Sequence, residues 1–442
     1  MSARTVALLT LGAVEQKDAW ANGQLKKEIA KARLDRRDAA LATRLCFGTL
    51  QNRILLDYYI QAFAAMKVSK MERVVRDNLR LALYQLLFME RIPPSAAVNE
   101  AVSLTRKFCK NPRASGMVNG ILRNVLRNLD SLPPIKGETV IDESELCYSH
   151  PKWLVEEFSR YLSLEEVEAL LEIHNSAAPT TVQINRCRAE EEAVITALEQ
   201  EGVTVMRHPW LPDCFTLSEM GNLEQLGPFQ EGSIYVQDPA AKLAVLAAAP
   251  KTGDRVLDLC AAPGGKSFAA AICMGDEGAL TSCDLYPHKK ALIEAGALRL
   301  GLTSIRAEVS DATKSRAEWE QGFDLVIADV PCSGLGVIRK KPEIRYKNPE
   351  EMQALPQLQE IILENAASYV KSGGALLYAT CTLRREENED VVTAFLKEHG
   401  EFALEGFTLP GPISSVDEGM LTLWPQRLET DGFFIAKLRR LS

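Results

Sequence analysis

The chain has 442 residues, of which 46% are hydrophobic and 25% charged, a composition typical of a globular protein with more than one domain. No apolar run approaches the roughly 18 residues of a membrane span, and the first residues lack a charged-then-apolar signal segment. The sequence therefore predicts a cytoplasmic protein without membrane contact. Ten cysteines without Cys-x-x-Cys spacing and five scattered histidines argue against a disulfide framework and against a metal site.

The charge is distributed unevenly along the chain. The net charge is −8, but residues 1–135 hold 22 Lys or Arg against 11 Asp or Glu, which gives +11 there and −19 in the remainder. This asymmetry predicts a basic, RNA-contacting module joined to an acidic catalytic one. The alternative is that the basic residues only form a solvated helical surface.

Residues 1 to about 130 are predicted to be helical throughout, because apolar residues recur at intervals of three and four. Pro93 and Pro94 punctuate the pattern. The sequence thus predicts a compact helical bundle, with helices over Thr43–Ala64, Val74–Phe88, Ala96–Phe108 and Gly116–Leu129.

A linker with few periodic apolar positions is predicted from Leu132 to about Tyr148. Helices and short strands follow, and they predict a small α/β module. Its helices are expected at about 153–161, 164–174 and 189–200, and its strands at 180–185, 203–205 and 214–217.

From Gln230 onward, strands and helices alternate, which predicts a doubly wound sheet. Ligands of such sheets bind beyond the carboxyl ends of the strands, near the point where the strand order reverses. Polar residues at those strand ends are therefore the first candidates for contacts with a ligand. The strands are expected at 255–259, 279–284, 304–309, 323–330 and 375–380, with a final antiparallel pair at 402–409 and 432–438.

The stretch from Arg255 to Tyr286 has the order strand, glycine turn, helix, strand. Gly264 and Gly265 leave room for a ligand beside the helix N-terminus, and Asp284 lies 19 positions further on, close to the offset at which a carboxylate meets ribose hydroxyls. Neither common phosphate-loop spacing is present. A ligand with ribose but no phosphate, such as S-adenosylmethionine, fits better than a nucleotide, and a plain structural turn is the alternative.

Two cysteines are predicted to follow strands at the ligand-binding edge, in DVPCSG (329–334) and YATCTLRREENE (378–389). One cysteine alone would be interpreted as a small buried hydrophobe. Two at neighbouring strand ends favour a nucleophile with a second acid or base. Cytosine C6 is a suitable soft electrophile, because thiolate addition there makes C5 able to accept a methyl group from a sulfonium.

Two resemblances follow from these motifs. The segments 80–102 and 116–128 resemble the NusB family of RNA-binding helical domains. The whole chain resembles the RsmB-type (Fmu/Sun) bacterial ribosomal RNA cytosine-C5 methyltransferases. The motifs that carry this second resemblance appear in the expected order: SHPKWL, YVQDPAA (235–241), DLCAAPGGKS, DVPCSG, GLGVIRKKPEIRY (334–346), the Thr-Cys motif and TDGFFIAKL (430–438).

The resemblance implies a multidomain fold: an all-α NusB-like RNA-binding bundle at 1–135, linker helices with a small α/β (RRM-like) module at 145–230, and an α/β Rossmann-like class I methyltransferase domain at 231–442. It implies methylation of C5 of a specific cytosine in 16S ribosomal RNA, with S-adenosylmethionine as cofactor. The expected substrate is protein-free or early-assembly small-subunit RNA, and the expected oligomeric state is a monomer.

The resemblance also implies the site residues. Cys381 would be the nucleophile that forms a covalent adduct with C6, Cys332 would assist release, and Asp329 would contact the cytosine. In DNA cytosine methyltransferases the nucleophile lies instead in the proline-cysteine motif, which here contains Cys332. The cofactor would be held by Cys260, Ala261, Ala262, Pro263, Gly264, Gly265, Lys266, Asp284, Asp311 and Asp329.

Two alternatives remain at the level of the sequence. The same chemistry could act on transfer RNA or another ribosomal site, because these motifs specify the reaction and not the RNA. The chain could also be a non-catalytic ribosome-assembly or antitermination factor that keeps a methyltransferase-like fold as a scaffold.

Overall fold

The computed structural model describes residues 1–17 and 19–441. The chain divides into two compact units. The helical unit comprises Met1–Ser176 together with Ile338–Lys347, and the sheet unit comprises Ala177–Val337 and Asn348–Ser442. In the described part of the chain, no helix is long and apolar enough to cross a membrane.

The helical unit is built around leucine- and valine-rich helix faces. One helix places Leu79 and Leu83 four positions apart on the same face, and another helix does the same with Val118 and Leu122. All four side chains are buried in one apolar cluster. The helices are α1 (Ala3–Lys17), α2 (Ala21–Ala32), α3 (Arg36–Gln51), α4 (Arg53–Phe63), α5 (Arg73–Phe88), α6 (Pro94–Phe108), α7 (Ala114–Arg127), α8 (Val140–Tyr148), α9 (Lys152–Ser159) and α10 (Leu164–Asn175).

Two expectations for this unit are wrong. The single helix expected over Thr43–Ala64 is broken at Asn52, whose side-chain Nδ2 and backbone N–H both donate to the carbonyl of Gly48, so that α3 ends there. The linker expected up to Tyr148 contains α8, which begins with a capping box between Thr139 and Asp142. Local capping therefore specifies this short helix although its apolar pattern is weak.

The segment Ile338–Lys347 belongs to the helical unit although it begins six positions after Cys332. Arg345 is fully buried and donates through Nη1 to the carbonyls of Gln51 at 2.9 Å and Ser149 at 3.3 Å. Burial lowers the pKa of its guanidinium to about 10. The Tyr346 hydroxyl donates to the carbonyl of Leu50 at 2.8 Å. These buried polar contacts hold the segment against α3.

The sheet unit begins with a four-stranded antiparallel sheet in the order β2-β3-β1-β4. Its last strand pairs with the first (Val182 opposite Val236), so the sheet extends six residues beyond the expected end of the small module at 230. The elements are β1 (Thr180–Ile184), α11 (Glu191–Gln200), β2 (Thr204–Arg207), β3 (Cys214–Ser218), α12 (Gly227–Gln230) and β4 (Ile234–Val236).

A larger mixed sheet follows, in the order β10-β14-β9-β8-β5-β6-β7, with β13 also paired to β14. Strands β5 to β9 are parallel, and β14 is antiparallel to β9. Its elements are α13 (Pro239–Ala248), β5 (Arg255–Asp258), α14 (Gly265–Cys273), β6 (Ala279–Asp284), α15 (Pro287–Leu300), β7 (Ile305–Val309), β8 (Phe323–Asp329), α16 (Leu355–Tyr369), β9 (Val370–Thr380), α17 (Glu389–Glu398), β10 (Phe402–Leu404), β11 (Phe407–Leu409), β12 (Ser414–Val416), β13 (Met420–Leu423), α18 (Pro425–Leu428) and β14 (Phe433–Arg440).

The expected doubly wound sheet is therefore present, and its strand order reverses between β5 and β8. Alternate residues of its strands enter opposite cores: Leu325 and Ile327 pack into the cluster that contains α13 and α14, whereas Val326 and Ala328 pack into the one that contains α16 and α17. The expected final strand at 402–409 is interrupted. Its first part, β10, pairs with β14, whereas its second part, β11, pairs with β12.

Candidate active site

The turn between β5 and α14 requires glycine. Gly264 has φ 112°, and a Cβ at this position would lie 2.3 Å from the Phe268 ring. The preceding Ala262–Pro263 peptide bond is cis. Helix α14 starts at Gly265, so its first N–H groups face the carboxyl edge of the sheet. The turn thus brings backbone donors to the edge at which a ligand of this fold binds.

Asp258, the last residue of β5, is completely buried beneath this turn. Its Oδ2 accepts from the Ser267 hydroxyl at 2.7 Å, and Ser267 in turn accepts from the Ser282 hydroxyl at 2.8 Å. Burial raises the pKa of the Asp258 carboxyl to about 7, and the nearby Asp329 charge adds to the effect. The Asp258 carboxyl therefore holds α14 in place through Ser267, and it gains or loses its proton near neutral pH.

Asp284 and Asp311 lie at the ends of the neighbouring parallel strands β6 and β7. Asp284 is only 5% exposed; its Oδ1 accepts from the Tyr286 N–H at 3.3 Å and lies 3.5 Å from Lys289 Nζ. Asp311 Oδ1 accepts from the N–H and hydroxyl of Thr313, and these bonds lower the pKa of Asp311. Two carboxylates therefore lie on the β6–β7 side of the glycine turn.

Lys266 and Asp329 form an ion pair across the strand-order reversal. Lys266 Nζ, from the first turn of α14, lies 2.6 Å from Asp329 Oδ2 at the end of β8, and 4.8 Å from the centroid of the Phe433 ring. Burial lowers the pKa of Lys266, but the charge of Asp329 and the hydrogen bond to it outweigh burial and leave this pKa raised. The lysine is therefore charged and fixes the carboxylate.

The two predicted cysteines are adjacent. Strands β8 and β9 pair in parallel with Asp329 opposite Ala379, so the loops that follow them place Cys332 Sγ 3.2 Å from Cys381 Sγ. The pKa of Cys332 is raised well above that of an ordinary thiol, first by its hydrogen bond to Cys381 and then by burial. Either thiol can donate the hydrogen bond between the two sulfur atoms.

A buried polar scaffold fixes the two cysteine loops. Glu387 Oε2 accepts from the Ser333 N–H at 2.8 Å and from Gln359 Nε2 at 3.0 Å. Asn388 accepts from the Thr380 hydroxyl at 2.6 Å and donates to the Thr382 carbonyl at 3.1 Å, so it brackets Cys381. Glu387 and Asn388 lie within the motif YATCTLRREENE, but the sequence alone assigns them no role, because only the fold reveals their hydrogen-bond partners.

Sequence reasoning also assigned no role to Gln237, which follows β4. It is 5% exposed, and neither atom of its amide group has a hydrogen-bond partner among the described residues. A Cβ built on Gly265 would lie 3.5 Å from Gln237 Nε2, so this amide stands beside the glycine turn. Buried amides are normally paired, so Gln237 points to a polar ligand at this place.

Comparison with known proteins decides the family. Residues 245–439 match the family described as 16S rRNA methyltransferase RsmB/F, residues 1–127 match the NusB family, and residues 150–224 match the RsmF/B-like ferredoxin-like domain. The probable ribosomal RNA small subunit methyltransferase B of Bacillus subtilis is 38% identical, and the match covers 99% of both chains. The chain belongs to the RsmB/F family of 16S rRNA methyltransferases.

Two further relatives agree with this assignment. The ribosomal RNA small subunit methyltransferase B of Escherichia coli O17:K52:H18 is 33% identical over 91% of this chain and 90% of its own. The crystal structure of PH0851 is 28% identical, has a TM-score of 0.83 and covers 98% of this chain and 97% of its own. The protein is thus a ribosomal RNA small-subunit methyltransferase, which sets aside the alternative of a non-catalytic factor and favours ribosomal over transfer RNA.

S-adenosylmethionine is the cofactor of this methyltransferase, and the site fits it. Backbone donors of α14 and the amide of Gln237, unpartnered among the described residues, lie at the glycine turn. The carboxylates of Asp284 and Asp311 lie at the ends of the next two strands, β6 and β7. The remaining expected cofactor residues, from Cys260 to Lys266, all lie in this turn or in the first turn of α14. Burial and then the surrounding carboxylates raise the pKa of Cys260 well above its ordinary value and disfavour its thiolate form.

Proposed function

We propose that the protein methylates C5 of a cytosine in small-subunit ribosomal RNA through a covalent bond between Cys381 and C6 of the base. The observation that carries the proposal is the pair of thiols 3.2 Å apart at the ends of adjacent strands β8 and β9. The Lys266–Asp329 ion pair at the end of β8 supplies fixed polar groups beside them. A nucleophile, a second thiol and a carboxylate are the groups that this reaction needs.

The hydrogen bond between the two thiols supports the roles that we assign to them. We assign the shared proton to Cys332, so that its S–H donates to a Cys381 thiolate and favours the nucleophilic form of Cys381. Cys381 attacks C6 of a cytosine that has left its stack, and N3 takes a proton from solvent as the negative charge develops. Asp329, held by Lys266, accepts from the amino group of the base and from the N3–H. This attack makes C5 nucleophilic.

Bound S-adenosylmethionine supplies the methyl group as an electrophile. Formation of the bond between Cys381 and C6 removes the hydrogen bond that holds the Cys332 proton most strongly, so this thiol becomes easier to deprotonate. Cys332 first releases its own proton to solvent and then accepts the C5 proton as a thiolate. As the proton leaves, the C6–S bond breaks, the C5–C6 double bond is restored, and Cys381 departs as a thiolate.

The cofactor contacts are part of the proposal. Residues Cys260 to Lys266 would hold the cofactor through the turn and the N-terminus of α14, and Asp284 would accept from its ribose hydroxyls. Asp311 and Asp329 would contribute further polar contacts to the bound cofactor. Gln237 is added to this set on the basis of its unpartnered amide.

We further propose a division of labour and a substrate state. The basic residues 1–135 bind RNA, the small module at 145–230 extends the catalytic domain, and residues 231–442 carry out the reaction. The protein acts as a monomer on protein-free or early-assembly RNA. Methylation of protein-free small-subunit RNA and of assembled subunits with labelled cofactor, followed by mapping of the modified base, tests the site, the atom and the substrate state together.

The assignment of the thiols is tested by single replacements. Cys381→Ala is expected to be inactive and to form no covalent complex with the RNA. Cys332→Ala is expected to form the adduct, transfer the methyl group and stall, so that protein remains attached to RNA in a denaturing gel. Cys147→Ala, which removes an exposed cysteine of the helical unit, is the control and should turn over normally.

The opposite pattern has a definite meaning. An adduct in Cys381→Ala but not in Cys332→Ala would reverse the roles of the two thiols. Adducts in neither variant, with labelled methyl still transferred by the wild type, would refute thiol catalysis. Cofactor binding by both variants, measured by calorimetry, shows that a loss of activity comes from the chemistry and not from misfolding.

A further inference from the structure

A cavity of about 240 Å³ lies within the helical unit, formed by described residues from α1, the chain before α2, α3, the start of α4, α5 and the segment Ile338–Lys347. It is too small for most drug-sized ligands, whose pockets usually exceed about 300 Å³. Its lining includes the ion-paired side chains of Glu15, Asp77 and Arg80. The other polar and aromatic lining residues are Trp20, Thr49, Arg53, Glu343, Tyr346 and Lys347.

Two buried oxygens in the cavity wall have no hydrogen-bond partner in the described part of the chain. Thr49 is only 2% exposed, and its Oγ1 is unpartnered. Glu343 Oε1 accepts from the Ala21 N–H at 2.9 Å, whereas its Oε2 is buried and unpartnered. Because buried polar atoms are normally satisfied, these oxygens indicate a ligand that donates hydrogen bonds.

The rings of Trp20 and Tyr346 and the cations of Arg53 and Lys347 line the same cavity, and Lys341 stands beside Trp20 outside the lining. Trp20 is 49% exposed, and the Nζ atoms of Lys341 and Lys347 lie 4.7 Å and 5.1 Å from its ring centroid. The Arg53 guanidinium carbon lies 4.5 Å from the centroid of the Tyr346 ring. Aromatic faces with neighbouring cations are the combination by which proteins bind unpaired nucleotides, through base stacking and phosphate contacts.

We propose that this cavity binds one unpaired nucleobase of the ribosomal RNA, and that it favours a base with an exocyclic amino group. The base stacks on Trp20, Glu343 Oε2 accepts from its amino group as carboxylates do from cytosine N4, and the lysines contact the adjoining phosphates. Uracil lacks such a donor. The inference rests on ribosomal RNA as substrate, but it does not depend on the cysteine chemistry.

The stacking part is tested by equilibrium binding of a small-subunit RNA transcript to the full-length protein. Trp20→Ala is expected to weaken binding about 5- to 150-fold, from a stacking contribution of about 1–3 kcal/mol. The slope of affinity against salt should not change, because no charge is removed. Trp20→Phe should restore most of the affinity. Phe88→Ala, which removes an exposed aromatic ring of the same unit outside the cavity, should bind like the wild type.

The base preference is tested by competition with short oligocytidylate and oligouridylate. The wild type should prefer cytidine, whereas Glu343→Gln should lose or reverse the preference, since the amide presents a donor where the carboxylate presents an acceptor. Unchanged affinity in Trp20→Ala with unchanged preference in Glu343→Gln would overturn the proposal. An equal loss in Phe88→Ala would also overturn it.

These outcomes are separable from the proposed function. Adduct formation by Cys332→Ala reports on the thiol chemistry, whereas the cavity variants change RNA affinity and base preference. If the cavity variants bind RNA like the wild type while Cys332→Ala still forms adducts, the base-binding proposal fails and the methylation mechanism remains supported. Cofactor affinity and the melting temperature of each cavity variant should equal those of the wild type. A variant that fails this check is replaced by Trp20→Leu or Glu343→Ala, for which the same losses of affinity and of base preference are expected.

Discussion

Asp284 is the residue whose removal tests the cofactor site most directly. It lies at the end of β6, is almost fully buried and has one weak ion-pair partner, Lys289 at 3.5 Å. If it accepts a hydrogen bond from ribose, Asp284→Ala should weaken S-adenosylmethionine binding by roughly 1.5–3 kcal/mol, about 10- to 150-fold in Kd. Titration calorimetry measures this. Glu294→Ala on α15 removes a half-exposed carboxylate as control, and an equal Kd in both variants would dismiss the role of Asp284.

Asp258 makes the stability of the sheet unit depend on pH. Burial raises the pKa of its carboxyl to about 7, whereas an unfolded aspartate titrates near about 4. The folded state therefore holds the proton more tightly. The free energy of unfolding should fall as pH rises from about 4 to about 7, and it should remain lower above that range.

Asp258→Asn isolates this effect, because asparagine accepts from Ser267 but does not ionise. Relative to the wild type, the variant should gain stability from pH 5 to pH 8, by an amount of the order of a few kcal/mol at most. Urea denaturation of both proteins across this range measures the difference. A difference that does not change with pH would show that Asp258 is not protonated in the folded protein.

At the scale of elements, a close contact of two glycines holds the Cys381 loop in place. The Gly336 N–H donates to the carbonyl of Cys381 at 2.9 Å, and the Gly432 N–H donates to the carbonyl of Gly336 at 2.8 Å. A Cβ on Gly336 would lie 1.9 Å from the Gly432 carbonyl oxygen. A side chain here must therefore separate the two backbones and displace Cys381.

Gly336→Ala is expected to reduce methyl transfer strongly while leaving cofactor affinity close to that of the wild type, because the glycine turn is untouched. Single-turnover methylation and calorimetry give the two quantities. Gly120→Ala is the matched control: it lies in α7 with nothing within 4 Å of its Cβ position, and should be neutral or stabilising by up to about 1 kcal/mol. Full activity of Gly336→Ala would show that the loop tolerates this shift.

The elements also show what the sequence could predict. Strands β5 to β9 were predicted because short apolar runs end at glycine turns or polar residues, and the closeness of Cys332 to Cys381 followed from their positions after adjacent strands. The break at Asn52 and the capped helix α8 depend on single hydrogen bonds that apolar periodicity does not reveal. The scaffold of Glu387 and Asn388 depends on partners distant in sequence.

At the scale of the whole molecule, the chain order does not match the division into units. The segment Ile338–Lys347 follows the Cys332 loop in sequence but packs in the helical unit, where Arg345 and Tyr346 donate to carbonyls of α3. No periodic pattern predicts such a long-range insertion. Deleting residues 1–130 would remove these acceptors and leave a buried guanidinium with fewer partners, so truncation is a poor test of RNA binding by the helical unit.

Charge neutralisation at the surface tests the same idea without unfolding. Between residues 26 and 44, α2, α3 and their connection carry a set of exposed basic residues: Lys26, Lys27, Lys31, Arg33, Arg36, Arg37 and Arg44. Each phosphate contact contributes roughly 0.7–0.9 to the slope of log affinity against log salt. Replacing Lys27, Arg33 and Arg37 by Gln should therefore weaken RNA binding at low salt and lower the slope by up to about 2–3.

The control carries the same change in net charge on the other unit. Lys251, Lys371 and Lys397 are exposed residues of the sheet unit, and their replacement by Gln also removes three positive charges. If the basic helical surface contacts phosphates, its variant should lose affinity and slope while the control keeps both, and cofactor affinity should be equal in the two. If the slope of log RNA affinity against log salt is equal in the two triple variants, the +11 charge of residues 1–135 acts only through the general electrostatic field of the protein. The basic residues of α2 and α3 would then form only a solvated surface.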